Sequence, residues 1–205
     1  MKKVLLITDG IFHPPLLGCI NLQISLAELV DYQFQHIRSL EKLPVNLHEF
    51  SAVVLYFHHN TISDQALNKF DDFVLKGGGV LGVHSATASF KETDRFTDIL
   101  GGKFSGHGPV ETFAVTPVSP ESHIFQGIPE FQVTDELYIH DLQPDIETHF
   151  AALHKEVQVP MVWTRNHGSG RVCYTSPGHR SAVFKQPAYR EILVRGLKWA
   201  AEGLD

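Results

Sequence analysis

The first eighty residues switch between short, wholly apolar runs and longer stretches in which apolar residues recur at helical spacing. Lys2–Thr8 carries Val4-Leu5-Leu6-Ile7 at its centre and reads as a buried strand. Asn21–Val30 places Leu22, Leu26, Leu29 and Val30 on one face of a predicted helix. Tyr32–Ile37 predicts a short strand, and Ser51–Phe57 a strongly apolar one. Ser63 is positioned to cap a helix with apolar positions at Ala66, Phe70, Phe73 and Val74, and Lys76-Gly77 ends it. Val80–Val83 follows as a further buried strand. Strands and helices alternating through short connections predict an α/β fold, a doubly wound parallel sheet with helices on both faces.

The pattern changes after this point. Phe104–Ser119 and Phe131–Leu142 alternate apolar and polar residues, as in Thr112-Phe113-Ala114-Val115, and predict strands without intervening helices. They are expected to form an antiparallel β extension of the sheet or an insertion in it. Pro160–Arg165 and Arg171–Thr175, joined by Asn166-His167-Gly168-Ser169-Gly170, read as a hairpin. A helix over Pro187–Glu202 follows. Without repeats or low-complexity tracts, the 205 residues are expected to form one domain over 1–205.

Composition narrows the function classes. With 43% hydrophobic and 20% charged residues the chain is not a disordered one, and no apolar run approaches the roughly 20 residues of a membrane-spanning helix. The basic start Met1-Lys2-Lys3 imitates a signal peptide, but Asp9 closes the apolar run too early, so a cytoplasmic location is expected. A net charge of −6 with no basic stripe argues against nucleic acid and anionic membrane surfaces as partners. Cys19 and Cys173 cannot make a disulfide framework or a cysteine-based zinc site.

Histidine is the unusual residue: 13 of 205, about 6%. In an open parallel sheet ligands bind beyond the carboxyl ends of the strands, and four such ends carry histidines here. Thr8-Asp9 leads to His13, the second apolar strand runs into His58-His59-Asn60, Val80–Val83 ends at His84-Ser85, and Tyr174-Thr175-Ser176 leads to Pro177-Gly178-His179. Gly82-Val83-His84-Ser85 resembles a nucleophile elbow with His84 at its tip. Gly77-Gly78-Gly79 precedes its strand and reads as a helix-to-strand turn rather than a phosphate loop. Two further clusters carry chemistry: His107 between Gly106 and Gly108, and Asp135-Glu136-Leu137-Tyr138-Ile139-His140. In the latter the period of two puts Glu136, Tyr138 and His140 on one face.

Several blocks together carry a resemblance to a known family. Gly77-Gly78-Gly79 through Phe90, Leu100-Gly101-Gly102 with His107, Asp135–Tyr138, and Pro160–Arg165 with Gly168, Gly170-Arg171-Val172, Tyr174-Thr175 and Gly178-His179 are similar to ThuA-like (trehalose utilisation) proteins. The ending Arg195-Gly196-Leu197-Lys198-Trp199-Ala200 fits as well. The resemblance implies a class I glutamine amidotransferase-like, flavodoxin-like fold. It also implies a sugar substrate, by association with trehalose and related disaccharides, including 3-keto derivatives. Amidotransferases of that fold carry a cysteine at the elbow, where this chain has His84, so glutamine hydrolysis through a thioester is not expected.

Two functional readings follow. In the first the chain is a carbohydrate-active enzyme, a hydrolase or isomerase, with His84, Glu136 and His179 as catalytic residues. Asp9, His13, His59 and Tyr138 orient sugar hydroxyls. A divalent metal, zinc or another first-row ion, would be held by His84, His107 and His179, and a metal-free version uses a histidine acid–base pair. No nucleotide cofactor is expected. In the second reading the pocket binds a carbohydrate without turnover, as a regulatory module. A homo-oligomer through the exposed face of the antiparallel segment is one arrangement the sequence allows.

Overall fold

The structure is a computed structural model and describes residues 1–10, 14–119 and 121–202. Its centre is a nine-stranded sheet. Five strands are parallel: β1 (Lys2–Asp9), β2 (Tyr32–Ile37), β3 (Ala52–Phe57), β4 (Gly79–Val83) and β9 (Gly170–Thr175). The other four are antiparallel: β5 (Gly102–Pro117), β6 (Phe131–Leu142), β7 (Glu147–His154) and β8 (Val157–His167). The spatial order is β2-β1-β3-β4-β9-β8-β7-β5-β6, so the parallel half gives way to the antiparallel half at β9. This is the flavodoxin-like α/β layout, with the antiparallel extension that the alternating pattern predicts.

Each parallel strand is apolar because both of its faces are covered. Helices α1 (Leu16–Leu26) and α4 (Pro187–Glu202) lie on one face, where Leu22, Leu26, Ile192 and Leu193 meet Val4, Val54 and Leu81. Helices α2 (Asp64–Leu75) and α3 (Asp94–Leu100) lie on the other, where Phe70, Phe73, Phe96 and Ile99 meet Leu5, Val53 and Val80. Ser63 caps α2 as expected, its hydroxyl accepting from the Ala66 N–H at 3.2 Å. Gly77, at φ +108°, turns the chain into β4, and a Cβ on Gly79 would meet the Ala200 carbonyl at 2.3 Å. The hairpin between β8 and β9 turns on Gly168 and Ser169, with His167 opposite Gly170.

Three elements depart from the sequence reading. Helix α1 spans Leu16–Leu26, starting and ending earlier than Asn21–Val30. It begins directly after Pro14-Pro15, and proline favours a first helical turn. Helix α3 was not anticipated, because seven residues are too few to show a period. Strand β7 was also missed: Glu-Thr-His-Phe-Ala-Ala-Leu-His lacks alternation, since four successive residues, His149 to Ala152, are buried. Among the described residues no helix is long and apolar enough to cross a membrane.

Candidate functional site

Strands β4 and β9 are paired neighbours, with Val83 opposite Thr175, so their carboxyl ends deliver His84 and the 176–180 loop side by side. His84 sits on the elbow at φ +45°, a left-handed conformation that costs a non-glycine residue about 1–2 kcal/mol. The surroundings hold it there. The Tyr174 hydroxyl donates to the His84 carbonyl at 2.7 Å, and Thr87 donates to the same oxygen at 3.2 Å. Residues 84–88 continue as a short 3₁₀ helix. The strand, strained residue and tight helix are the elbow geometry the sequence suggests, with an imidazole at its tip.

The 176–180 loop is gripped at almost every peptide. His84 Nδ1 donates to the Ser176 carbonyl at 2.9 Å, Tyr189 to that of Pro177 at 2.5 Å, and Tyr56 to that of Gly178 at 2.5 Å. From the other side the buried carboxylate of Asp135 accepts the N–H groups of Gly178 at 2.6 Å, His179 at 3.2 Å and Arg180 at 2.9 Å. Burial pushes the Asp135 carboxyl up to about 6, against the backbone N–H donors of Gly178, Arg180, Glu136 and His179, which favour its charged form. Burial also pushes the hydroxyls of Tyr56, Tyr174 and Tyr189 far up, so all three stay protonated donors. Gly178 lies against His84, and a Cβ there would come within 2.6 Å of the His84 Cβ.

This framework brings His84, Glu136 and His179 together, with one ligand-competent atom of each lying within 4.8 Å of the others. Glu136 Oε2 is 3.3 Å from His179 Nδ1 and 3.9 Å from His84 Nε2. A carbonyl can only accept, so the bond to Ser176 puts a proton on His84 Nδ1 and turns Nε2 toward Glu136. Tyr138 covers the His84 ring with a 4.0 Å centroid separation. His84 and Tyr138 are buried, Glu136 is nearly so, and His179 is 27% exposed, giving the cluster one open side.

The remaining candidates are placed differently. His107 lies outside this group, 40% exposed, with Nδ1 3.7 Å from the second oxygen of Glu136, Oε1. Its Nδ1 donates to the Gly108 carbonyl at 2.7 Å, so the nitrogen nearest Glu136 carries a proton rather than a lone pair. Register shifts on either side of His107 make it a bulged stretch of β5. His59 pairs with Asp9 at 3.0 Å, and its ring stacks on Phe57 at 4.7 Å. Asp9 and Phe57 are opposite each other at the carboxyl ends of β1 and β3, and β3 is the neighbour of β4. His13 lies outside the described residues. His140 turns away from the open side and meets Thr87 at 3.0 Å and Tyr174 at 3.3 Å, behind the elbow. Both cysteines are buried with thiol pKa values raised by burial, the opposite of an activated thiolate.

Sequence reasoning missed the loop's anchors. Asp135 was visible only as the residue before Glu136, and nothing in its spacing shows that it caps three successive N–H groups. The usable signal is Ser176-Pro177-Gly178-His179 itself, a loop after a buried strand whose backbone groups need buried partners.

The sequence profile of the ThuA family, described as trehalose utilisation, matches residues 4–200. The chain belongs to the ThuA family. Its fold is shared by a ThuA-like protein from Parabacteroides merdae ATCC 43184, at 20% identity and a TM-score of 0.86 over 98% of this chain and 90% of that one. A ThuA-like protein from Bacteroides uniformis ATCC 8492 is similar at 18% identity and a TM-score of 0.81, over 98% and 91%. A β-galactosidase from Bacillus circulans sp. alkalophilus contains the same fold at 10% identity and a TM-score of 0.69, covering 96% of this chain but 30% of that one. No curated protein matches the sequence.

Proposed function

We propose that this ThuA-family chain is a sugar-related enzyme that acts on a carbohydrate or keto-sugar at the His84–Glu136–His179 cluster, with a first-row divalent ion held there. The observation that carries this reading is the convergence of two imidazoles and one carboxylate within 4.8 Å. The donor set fits such an ion. Tetrahedral zinc with bonds near 2.1 Å needs donors about 3.4 Å apart; the Glu136 Oε2 separations are 3.3 and 3.9 Å and all three atoms lie within 4.8 Å, so the imidazoles would draw in on a bound ion. The His84 ring is oriented by the Ser176 carbonyl, which takes its Nδ1 proton, the kind of outer partner that orients metal-binding imidazoles. An ion bound there supplies Lewis acidity toward a sugar carbonyl, or a water acidified to a pKa of about 7.

The chain's own residues account for the rest. With Oε2 of Glu136 directed at the cluster, Oε1 faces His107, so the carboxylate ties the exposed imidazole to the buried site. His107 is the residue placed to exchange protons with a substrate at the open side. Asp9 and His59, at neighbouring strand ends, supply a carboxylate and an imidazole for sugar hydroxyls. Without an ion, the same Glu136 and its imidazoles form an acid–base group for enolisation beside a carbonyl. Glutamine hydrolysis is not part of the proposal, because the elbow residue is His84 and both thiols are buried.

The β-galactosidase match favours a second reading, a non-catalytic carbohydrate-binding or regulatory module, since there the fold makes up 30% of a larger glycosidase chain. Incubating metal-supplemented protein with 3-keto-glucosides and ordinary disaccharides, followed by NMR of the sugar, separates the two. Product formation that disappears in Glu136→Gln supports the enzyme. Saturable sugar binding without product supports the module.

A further inference from the structure

We propose that the outer face of α1 is the contact surface of a two-fold homodimer. The eleven residues Leu16–Leu26 read Leu-Leu-Gly-Cys-Ile-Asn-Leu-Gln-Ile-Ser-Leu, without one charged side chain. Gly18, Cys19, Leu22, Ser25 and Leu26 are buried against the sheet, as a surface helix requires. The opposite side is mostly apolar as well: Leu16 is 54% exposed, Leu17 62%, Ile20 42% and Ile24 56%, with exposed Gln23 beside them. An uncharged helix with apolar residues on its outer side as well as its inner one is a helix suited to being covered on both, whereas α2 keeps Asp64, Asn68, Lys69 and Asp72 on its outer side.

The identity of the partner follows from the arrangement of this face. Ile20 is its centre, with Leu16 and Leu17 one turn before it and Ile24 one turn after. An antiparallel crossing of two copies at Ile20 therefore sets the leucines of one helix against Ile24 of the other. Beside the stripe, a mostly apolar groove between α1 and the edge strand β2 is lined by Ile24, Ala27 and Phe34, with Gln23 and His36, and has a volume of about 390 Å³. Stripe and groove adjoin on one protomer, so a two-fold axis presents each to the other copy.

The area is of the right size. The four exposed side chains offer roughly 400 Å² of apolar surface, close to the apolar share of the about 800 Å² that each partner buries in a standard interface. A second copy also brings no charge to a face that has none to pair with it. This surface differs from the antiparallel-segment face considered from the sequence alone.

Sedimentation velocity of the full chain tests the proposal. Wild type should sediment as twice its 22.9 kDa mass, and Leu17→Glu/Ile20→Glu should raise the dimer dissociation constant at least about 100-fold. Its circular dichroism should stay native. Val45→Glu, at an exposed position on another face, should leave the dimer intact. An Ile20→Cys variant in otherwise wild-type protein should cross-link to itself under mild oxidation, which keeps the test valid if the double variant misfolds. A monomeric wild type, a well-folded double variant that stays dimeric, or an Ile20→Cys that does not cross-link would each overturn the proposal.

Discussion

Two segments flank the candidate site, and they are built in opposite ways. The 176–180 loop has its carbonyls at 176, 177 and 178 and its N–H groups at 178, 179 and 180 all bonded to buried side chains. The bulged stretch around His107 on β5 has glycines on both sides, and a Cβ on either would meet nothing within 4 Å. His179 is therefore fixed from the backbone outward, as is His84 through its own clamped carbonyl. His107 is held mainly by its neighbour's carbonyl and half faces solvent. Fixed groups suit an ion, whose geometry tolerates little error. A looser imidazole at the rim suits a substrate that must enter and leave.

The comparison can be broken most severely at Asp135. Asp135→Ala leaves three loop N–H groups without their buried acceptor, and should lower unfolding free energy by about 3 kcal/mol or more. It should also abolish ion binding; urea titration and metal analysis read the two effects. Next in size is Gly178→Ala. Its Cβ would sit 2.6 Å from the His84 Cβ, so one strand end must shift. A loss of about 2 kcal/mol, with at least a tenfold fall in ion affinity by calorimetric titration, is expected.

Acid probes the antiparallel half through His149, against an opposite contribution from Asp135, whose raised pKa of about 6 lets the folded chain take up a proton in the same window. His149 on β7 is buried, its Nε2 bonded to the Thr164 hydroxyl at 2.7 Å, and burial pushes its pKa down to about 4. The unfolded chain binds a proton there near pH 6.5 and the folded chain does not, so the His149 contribution to stability falls as pH drops from 6.5 toward 4. The loss should be about 2 kcal/mol at pH 5, seen as a urea midpoint that drops further with acid in wild type than in His149→Gln. The smallest effects belong to the bulge. Gly106→Ala and Gly108→Ala should each change stability by less than about 0.5 kcal/mol and leave ion affinity within twofold. A large loss of affinity in either would mean that His107's segment is as tightly built as the loop.

The parallel half was legible because its signals are local: runs such as Val53–Phe57 are apolar throughout, and α2 has a serine cap, a clear stripe and a terminal glycine. Helix α1 was misplaced for the reason that makes it interesting, since apolar residues on both its inner and outer sides blur the phase. Strand β7 was hidden by continuous burial across its middle. At the site, strand-end position exposed His84 and His179, and the period of two exposed Glu136. The anchors Asp135, Tyr56 and Tyr189 were illegible because their work is done on backbone atoms of another segment, far away in sequence for the first two. The sequence reading grouped His107 with His84 and His179 because glycine flanks announce accessibility, whereas the direction of its Nδ1 hydrogen bond appears only in three dimensions.

The central claim is that two imidazoles and Glu136 form a prebuilt ion site. Elemental mass spectrometry of untagged protein, after incubation with zinc, manganese or iron and removal of excess, tests it most directly. One ion per chain in wild type, lost in His84→Ala and in Glu136→Gln but retained in His107→Ala, is the predicted result. No bound ion in wild type, or an ion retained without His84 and Glu136, would contradict it.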